Sequence, residues 1–431
     1  MTSIAVLLII GGCAVFQFFK GTIVRAFATI IIAIFASIVA FGFFEILASV
    51  LIKRGDSGSM LALVPWAHSL GFLLIFVLVF AVLQTAVVQL THKKPVDLGF
   101  LPERIGRVVL GIILGLIVSG VLITFLVMAP LPSEYPYERF EPRNIKVDNP
   151  NKAFLNVDGF VTGLFGVVSN GSFSGKRSFA CMHPSFLNQL YLNRLDRDVS
   201  LVSGTSPAIE VPRDKAAWPA PDALKTQIEG LNSQGKFNRT PGKPIGNYQL
   251  MIVRVGIKRM AIKTEPKINA GIFTLSQLRL ICKERGYEGG PFAGEGQDVY
   301  PLGYLKAADE IETNFKIQVE RSDFTDNAGT KDFDFIFPVP SGLQPAFVGF
   351  KLNNVVQIPT NAVLNDASEA PPAIGSSPSS VPEIPENPPE PSEETDQGQP
   401  EAQESSDDTS EPGRVERLTE SITGVQLDED Q

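Results

Sequence analysis

The first 132 residues alternate between long apolar runs and short polar breaks. Met1–Phe19 has no charged side chain, Ala26–Ile52 has only Glu45, and Ser59–Thr91 has none. A fourth run, Val108–Pro132, ends at Pro130 and Pro132, and proline cannot continue a helix. Crossing a bilayer takes about 20 mostly apolar residues in a helix. The pattern therefore predicts an α-helical four-span transmembrane bundle over 1–132, with spans near 3–19, 26–51, 70–90 and 108–129. Met60–Ser69, with Pro65 and Trp66, reads as an interfacial lead-in to the third span.

Past residue 133 the pattern breaks up. Residues 133–245 read as a connector and short helices packed on an outside domain. Val161–Val168 has the character of a short buried helix, and Pro184–Leu195 places Phe186, Leu187, Leu190, Tyr191 and Leu195 near helical spacing. Pro212–Pro244, punctuated by Pro and Gly, reads as irregular. Residues 246–365 change to short β-type runs at Met251–Lys258, Phe273–Cys282, Asp332–Phe337, Ala346–Lys351 and Val355–Pro359, divided by turn residues. Such spacing predicts an antiparallel sandwich or barrel.

Charge separates a fourth region. The 431 residues carry −9 in all, but 366–431 holds 18 acids, two Arg and ten Pro, so the remainder is positive. A stretch of that composition cannot bury enough apolar surface to order itself, and 366–431 reads as a disordered acidic tail. Lys20, Arg25, Lys93, Lys94, Arg104 and Arg107 flank the first and third loops, against Lys53 and Arg54 in the second. Lys and Arg concentrate in cytoplasmic loops, so everything after the fourth span is expected outside the cytoplasm, attached to an inner membrane.

Candidate chemistry is sparse. Glu45 is the one intramembrane acid, a functional candidate unless it reaches the headgroups or pairs with Lys53 or Arg54. Gly106, Gly111, Gly115 and Gly120 mark a face of the fourth span suited to close helix approach; a glycine-lined conduit is the alternative. Cys181 and Cys282 both fall in the outside region, where a disulfide or two buried thiols are both open. Ile10-Gly11-Gly12-Cys13 resembles a lipoprotein cleavage site but lacks a preceding basic residue. Gly55-Asp56-Ser57-Gly58 has the wording of a serine-protease nucleophile, yet none of the three His lies in a matching phrase. The acids Glu295, Asp298, Asp309, Glu310 and Glu312 lack calcium-loop spacing and read as a solvated face. No catalytic set, metal centre, cofactor or nucleic-acid partner is expected.

The junction Phe19-Lys20-Gly21-Thr22-Ile23-Val24-Arg25 and the phrase Pro102-Glu103-Arg104-Ile105-Gly106-Arg107, which opens a glycine-rich last span, resemble the colicin V production protein family. Glu103 stands where that family usually has Asp, and Ala26 where it often has Gly. The resemblance covers residues 1–130 and implies an inner-membrane protein linked to toxin export and envelope upkeep, without catalytic residues. Phe337-Pro338-Val339-Pro340, followed by Gly342 and an apolar strand, is similar to the closing hairpin of immunoglobulin-like bacterial surface domains. The combined expectation is a non-catalytic β-rich domain anchored in the lipid bilayer, acting as a homo-oligomer or with an envelope protein partner. A transporter or secretion-system subunit is the alternative.

Overall fold

A computed structural model describes residues 2–374 apart from 21, 56–60, 92–99, 171–177, 197–198, 244–245, 263, 266–269, 287–292 and 325–328. These belong to one compact unit, Met1–Pro378. Of the expected disordered tail over 366–431, residues 366–374 instead have a place in the fold, with a 3-10 turn at Ala367–Glu369 and the Pro372 carbonyl accepting from Arg254 at 2.8 Å; the rest of the tail, and most of the Gly55–Gly58 phrase, lie outside the described residues.

Four long helices come first: α1 (Thr2–Lys20), α2 (Ile23–Gly55), α3 (Ala67–Thr91, entered through a 3-10 turn at Leu61–Trp66) and α4 (Phe100–Met128). All four are long and apolar enough to cross a membrane. Their outward faces carry Leu8, Phe27, Phe43, Leu78 and Ile105, each more than half exposed, which suits hydrocarbon rather than water as their solvent.

The helices that follow, α5 (Val157–Asn170), α6 (Phe179–Met182) and α7 (Phe186–Asn193), share one apolar core with the long ones. Phe41 of α2 stacks on Phe165 of α5 at 4.9 Å, and Phe44 meets Phe186 at 6.0 Å. The short helices, expected to pack on the outside domain, thus also pack on the long helices. This packing leaves α5 only half buried, with Phe160 and Val167 55% and 75% exposed. Arg194 ties the two parts covalently distant in sequence: buried, it lies 4.5 Å over the Tyr191 ring and donates to the carbonyls of Leu126, Ala129 and Tyr135. A cation at the C-terminal end of α4 meets the negative end of that helix's dipole. Burial lowers its pKa to about 10, so it remains charged at neutral pH.

The β region has three antiparallel sheets. In chain order the strands are β1 (Ile209–Glu210), β2 (Ala217–Pro219), β3 (Tyr248–Lys258), β4 (Thr264–Glu265), β5 (Ala270–Thr274), β6 (Leu278–Glu284), β7 (Gln297–Val299), β8 (Gly303–Ala307), β9 (Glu310–Glu312), β10 (Lys316–Glu320), β11 (Thr330–Pro340), β12 (Leu343–Phe350) and β13 (Asn354–Gln357). One sheet runs β1-β3-β11-β8-β9 with β2 also on β3, a second β10-β5-β4, and a third β13-β12-β6-β7. Alternation along β3 explains the layering: Met251, Val253, Val255 and Ile257 enter the core shared by the sheets, while Leu250 and Ile252 face Trp218 and helix α8 (Asp222–Ser233).

Two sequence expectations fail here. Pro212–Pro244, expected to be irregular, contains α8, because Pro221 stands at the N-cap and outside the helix itself. The Phe337–Gly342 phrase is not a hairpin within one sheet: β11 pairs with β3 and β8, β12 with β6 and β13, and Ser341–Gly342 carries the chain from one sheet to another. Gly342, at φ +90°, makes that tight crossing.

Candidate functional site

The chemistry gathers where α2 and α3 meet α6 and α7. His183 follows the single turn of α6, its ring between Phe179 and Phe186 at 5.0 and 5.3 Å. Its Nε2 lies 2.6 Å from Glu45 Oε1 and its Nδ1 2.7 Å from Gln189 Oε1. Both partner atoms are acceptors, so the tautomer of the ring decides which of the two receives its N–H. Glu45 therefore finds a partner in the helices that follow the bundle, 138 residues away in sequence, one that the sequence reading did not consider. A half-exposed carboxylate faces a nearly buried imidazole, at 49% and 5% side-chain exposure.

His68, one residue into α3, completes the cluster. It is buried, 5.9 Å from the Phe44 ring, within electrostatic reach of Glu45 and His183, and its Nδ1 has no hydrogen-bond partner. Glu45, His68 and His183 all line a cavity of about 820 Å³. Phe35, Ile38 and Gly42 wall it on the α2 side; Ser203, Ser206 and Asn354 wall it from the β region. On the other side of His183 a cavity of about 380 Å³ is lined by Arg139, Asn188 and the Gly159–Gly163–Gly166 face of α5. Arg139 there donates to Asn188 Oδ1 at 2.8 Å and to the Tyr137 hydroxyl at 3.1 Å, and that hydroxyl donates to Asp158 at 2.5 Å. Burial and the Asp158 charge push the Tyr137 phenol well above its usual range, so it stays a donor. Among the described residues no group of three His, Cys, Asp or Glu could hold a metal ion.

The glycines of α4 do not join this site. A Cβ on Gly111 would lie 2.6 Å from Ala14 Cα, one on Gly115 2.6 Å from Ile10 Cα, and one on Gly106 2.5 Å from Ile23 Cδ1. Gly120 abuts the Val157 carbonyl at the start of α5. Each lets α4 approach another element of the same chain.

The cysteines are free thiols. The disulfide considered for Cys181 and Cys282 is not formed, and strand alternation gives the reason. Cys181 packs with Ile281 on one face of β6, whereas Cys282 points from the other face into the inter-sheet core. Asp298 is also misread as solvated. Its side chain is 2% exposed, 2.6 Å from Arg279, which in turn donates to the Met182 carbonyl at 2.8 Å. Glu295, Asp309 and Glu310 are exposed as expected.

No protein-family model, curated protein or solved structure matches this chain. Glu45 was visible in the sequence as a lone acid in an apolar run. His183 was not, because it lies in no phrase; the surviving clue was that a membrane acid requires a partner and the chain has only three His.

Proposed function

We propose that this is an integral membrane protein of the colicin V production type, which holds a non-catalytic β-rich domain outside the cytoplasm for envelope or export-related interactions. The observation that carries this reading is the end of the bundle on which the β region docks. Thr2 donates to the Pro136 carbonyl, Glu45 meets His183, and Arg194 caps α4. All three contacts lie at the ends of α1, α2 and α4 away from Lys20, Arg25, Arg104 and Arg107. With the cation-rich end inside, the docked region is outside. The shared core of long and short helices supports a rigid mount, suited to presenting a surface to an envelope protein or to a second copy. Antiparallel sheets closed around a shared Phe-rich core support the immunoglobulin-like reading of 246–365.

Topology labelling tests it. A cysteine at exposed Ser233 of α8 should react with a membrane-impermeant maleimide in intact cells, and one at Lys94 should react only after lysis. The opposite pattern would place the β region in the cytoplasm and end this reading.

A further inference from the structure

We infer that the cavity at Glu45, His68 and His183 is a binding site for a glycerophospholipid of the outer leaflet, its phosphate held in the polar half and its acyl chains lying along α2. The inference rests on the membrane orientation proposed above and names the ligand class of the same site.

Depth along the helices comes first. A helix rises 1.5 Å per residue, so a hydrocarbon core takes about 20 residues. Counted from Arg25 in α2 and from Gln89 back along α3, that length ends near Glu45 and His68. Counted from Arg107 in α4, it ends near Met128. These three positions therefore lie level with the outer edge of the hydrocarbon. The cavity straddles that edge. Below it the wall is Ile38 and Gly42, flanked by Phe35 and Phe43, 46% and 55% exposed toward where lipid lies. Above it Glu45, Lys53, His68, His183, Ser203 and Asn354 bring polar groups to a wall they share with Ile52, Met182 and Leu352.

Two buried groups in that wall lack partners. Asn354 is 3% exposed; its Oδ1 accepts from the Ala208 N–H at 3.0 Å, which orients the amide and leaves Nδ2 with no acceptor. His68 is 4% exposed with Nδ1 unmatched. Buried polar atoms are seldom left so, and both line the cavity. An amide N–H₂ requires acceptor oxygens, which a phosphate supplies. Lys53, also on the lining, adds the matching positive charge. Glu45 on the same wall suits a hydroxyl or ammonium further along the headgroup. A water-soluble ligand would leave the apolar lower half uncovered, and a simple hydrocarbon would leave the polar half unmatched. A volume of about 820 Å³ lies within the usual range of ligand sites and fits a headgroup with its glycerol, the chains continuing outside.

The test uses the full-length protein in detergent, titrated with phosphatidylethanolamine and phosphatidylglycerol bearing a fluorescent acyl chain, and with diacylglycerol carrying the same label. Saturable one-to-one binding of the phosphate-bearing lipids, at least tenfold tighter than diacylglycerol, is expected. Preference for the ethanolamine head assigns Glu45 an ammonium; preference for the glycerol head assigns it a hydroxyl. Gly42→Phe should abolish binding with an unchanged melting temperature, because a Cβ at Gly42 meets nothing within 4 Å and the ring fills the cavity. Asn354→Asp keeps the oxygen that holds Ala208 but replaces the donor with an anion, so it should weaken phospholipid binding at least tenfold and leave diacylglycerol unchanged. Equal binding of diacylglycerol and phospholipids, no saturable binding, or full binding by folded Gly42→Phe would overturn the inference. Any of these alongside the expected maleimide labelling at Ser233 removes the lipid site alone. Reversed labelling removes the membrane orientation instead.

Discussion

Where α4 meets α1, the contact is a glycine against backbone: Gly115 against Ile10 and Gly111 against Ala14. Where β6 and β7 meet the segment after α6, the contact is a buried ion pair, Arg279 with Asp298, extended to the Met182 carbonyl and the Ser185 N–H. The two regions solve one problem in two solvents. In hydrocarbon, apolar burial gives no drive to helix association, so helices gain by approaching until dispersion contacts accumulate. In water the Phe-rich β core supplies the drive, and ion pairs inside it fix which elements meet.

The contrast can be broken at its strongest point in the β region. Asp298→Asn leaves the Arg279 guanidinium charged, 3% exposed and without its counter-ion. A loss of about 3–5 kcal/mol is expected for a buried pair cut on one side, read as a lower midpoint in denaturant. A change under about 1 kcal/mol would mean the pair is solvated and no lock.

In the membrane half the corresponding blow is steric. Gly115→Ile sets a branched side chain where the Ile10 backbone already stands. We expect a cost of about 1–3 kcal/mol for such overpacking, seen as a lower melting temperature in detergent with insertion unchanged. A neutral result would separate α1 from α4.

Lys351 sharpens the comparison by pH. It donates to the Ala261 carbonyl at 2.8 Å, and burial lowers its pKa to about 7. Between pH 7 and its ordinary value near 10.5, the unfolded chain binds the proton and the folded chain does not, so stability rises with pH. The penalty is complete below pH 7 and gone above the unfolded pKa. The slope reaches up to about 1.4 kcal/mol per pH unit. Lys351→Met should flatten the pH dependence of unfolding, and an unaltered slope would show that Lys351 reaches water. The smallest effect is on α5, where a Cβ at Gly163 meets nothing within 4 Å. Gly163→Ala should stabilise by at most about 1 kcal/mol through helix propensity, the opposite sign to Gly115→Ile; destabilisation would mean that face is packed.

The long spans were legible because an apolar run of that length has few alternatives. Strands β3, β11 and β12 were legible through Val, Ile and Phe. Lys316–Glu320 also alternates, burying Ile317 and Val319, but two apolar residues among three polar ones make too short a period to stand out from a loop. Helix α8 was hidden by the Pro and Gly on either side of its 12 residues. The Glu45–His183 pair had no local trace, since contacts 138 residues apart follow no spacing rule. The cysteines turned on a single residue of register: a Cys at 281 instead of 282 would face Cys181.

The shared helical core ties the folding of the later helices to the insertion of the first four. Phe165, Phe179 and Phe186 pack against Phe41 and Phe44 of α2, which Phe72 of α3 backs from behind. A ribosome delivers the four spans first, so their insertion prepares the surface on which the later helices settle. If α2 or α3 inserts wrongly, that aromatic cluster emerges with nothing to cover it. Exposed aromatics are what chaperones and proteases recognise, so faulty insertion in the bilayer becomes visible to surveillance beyond it.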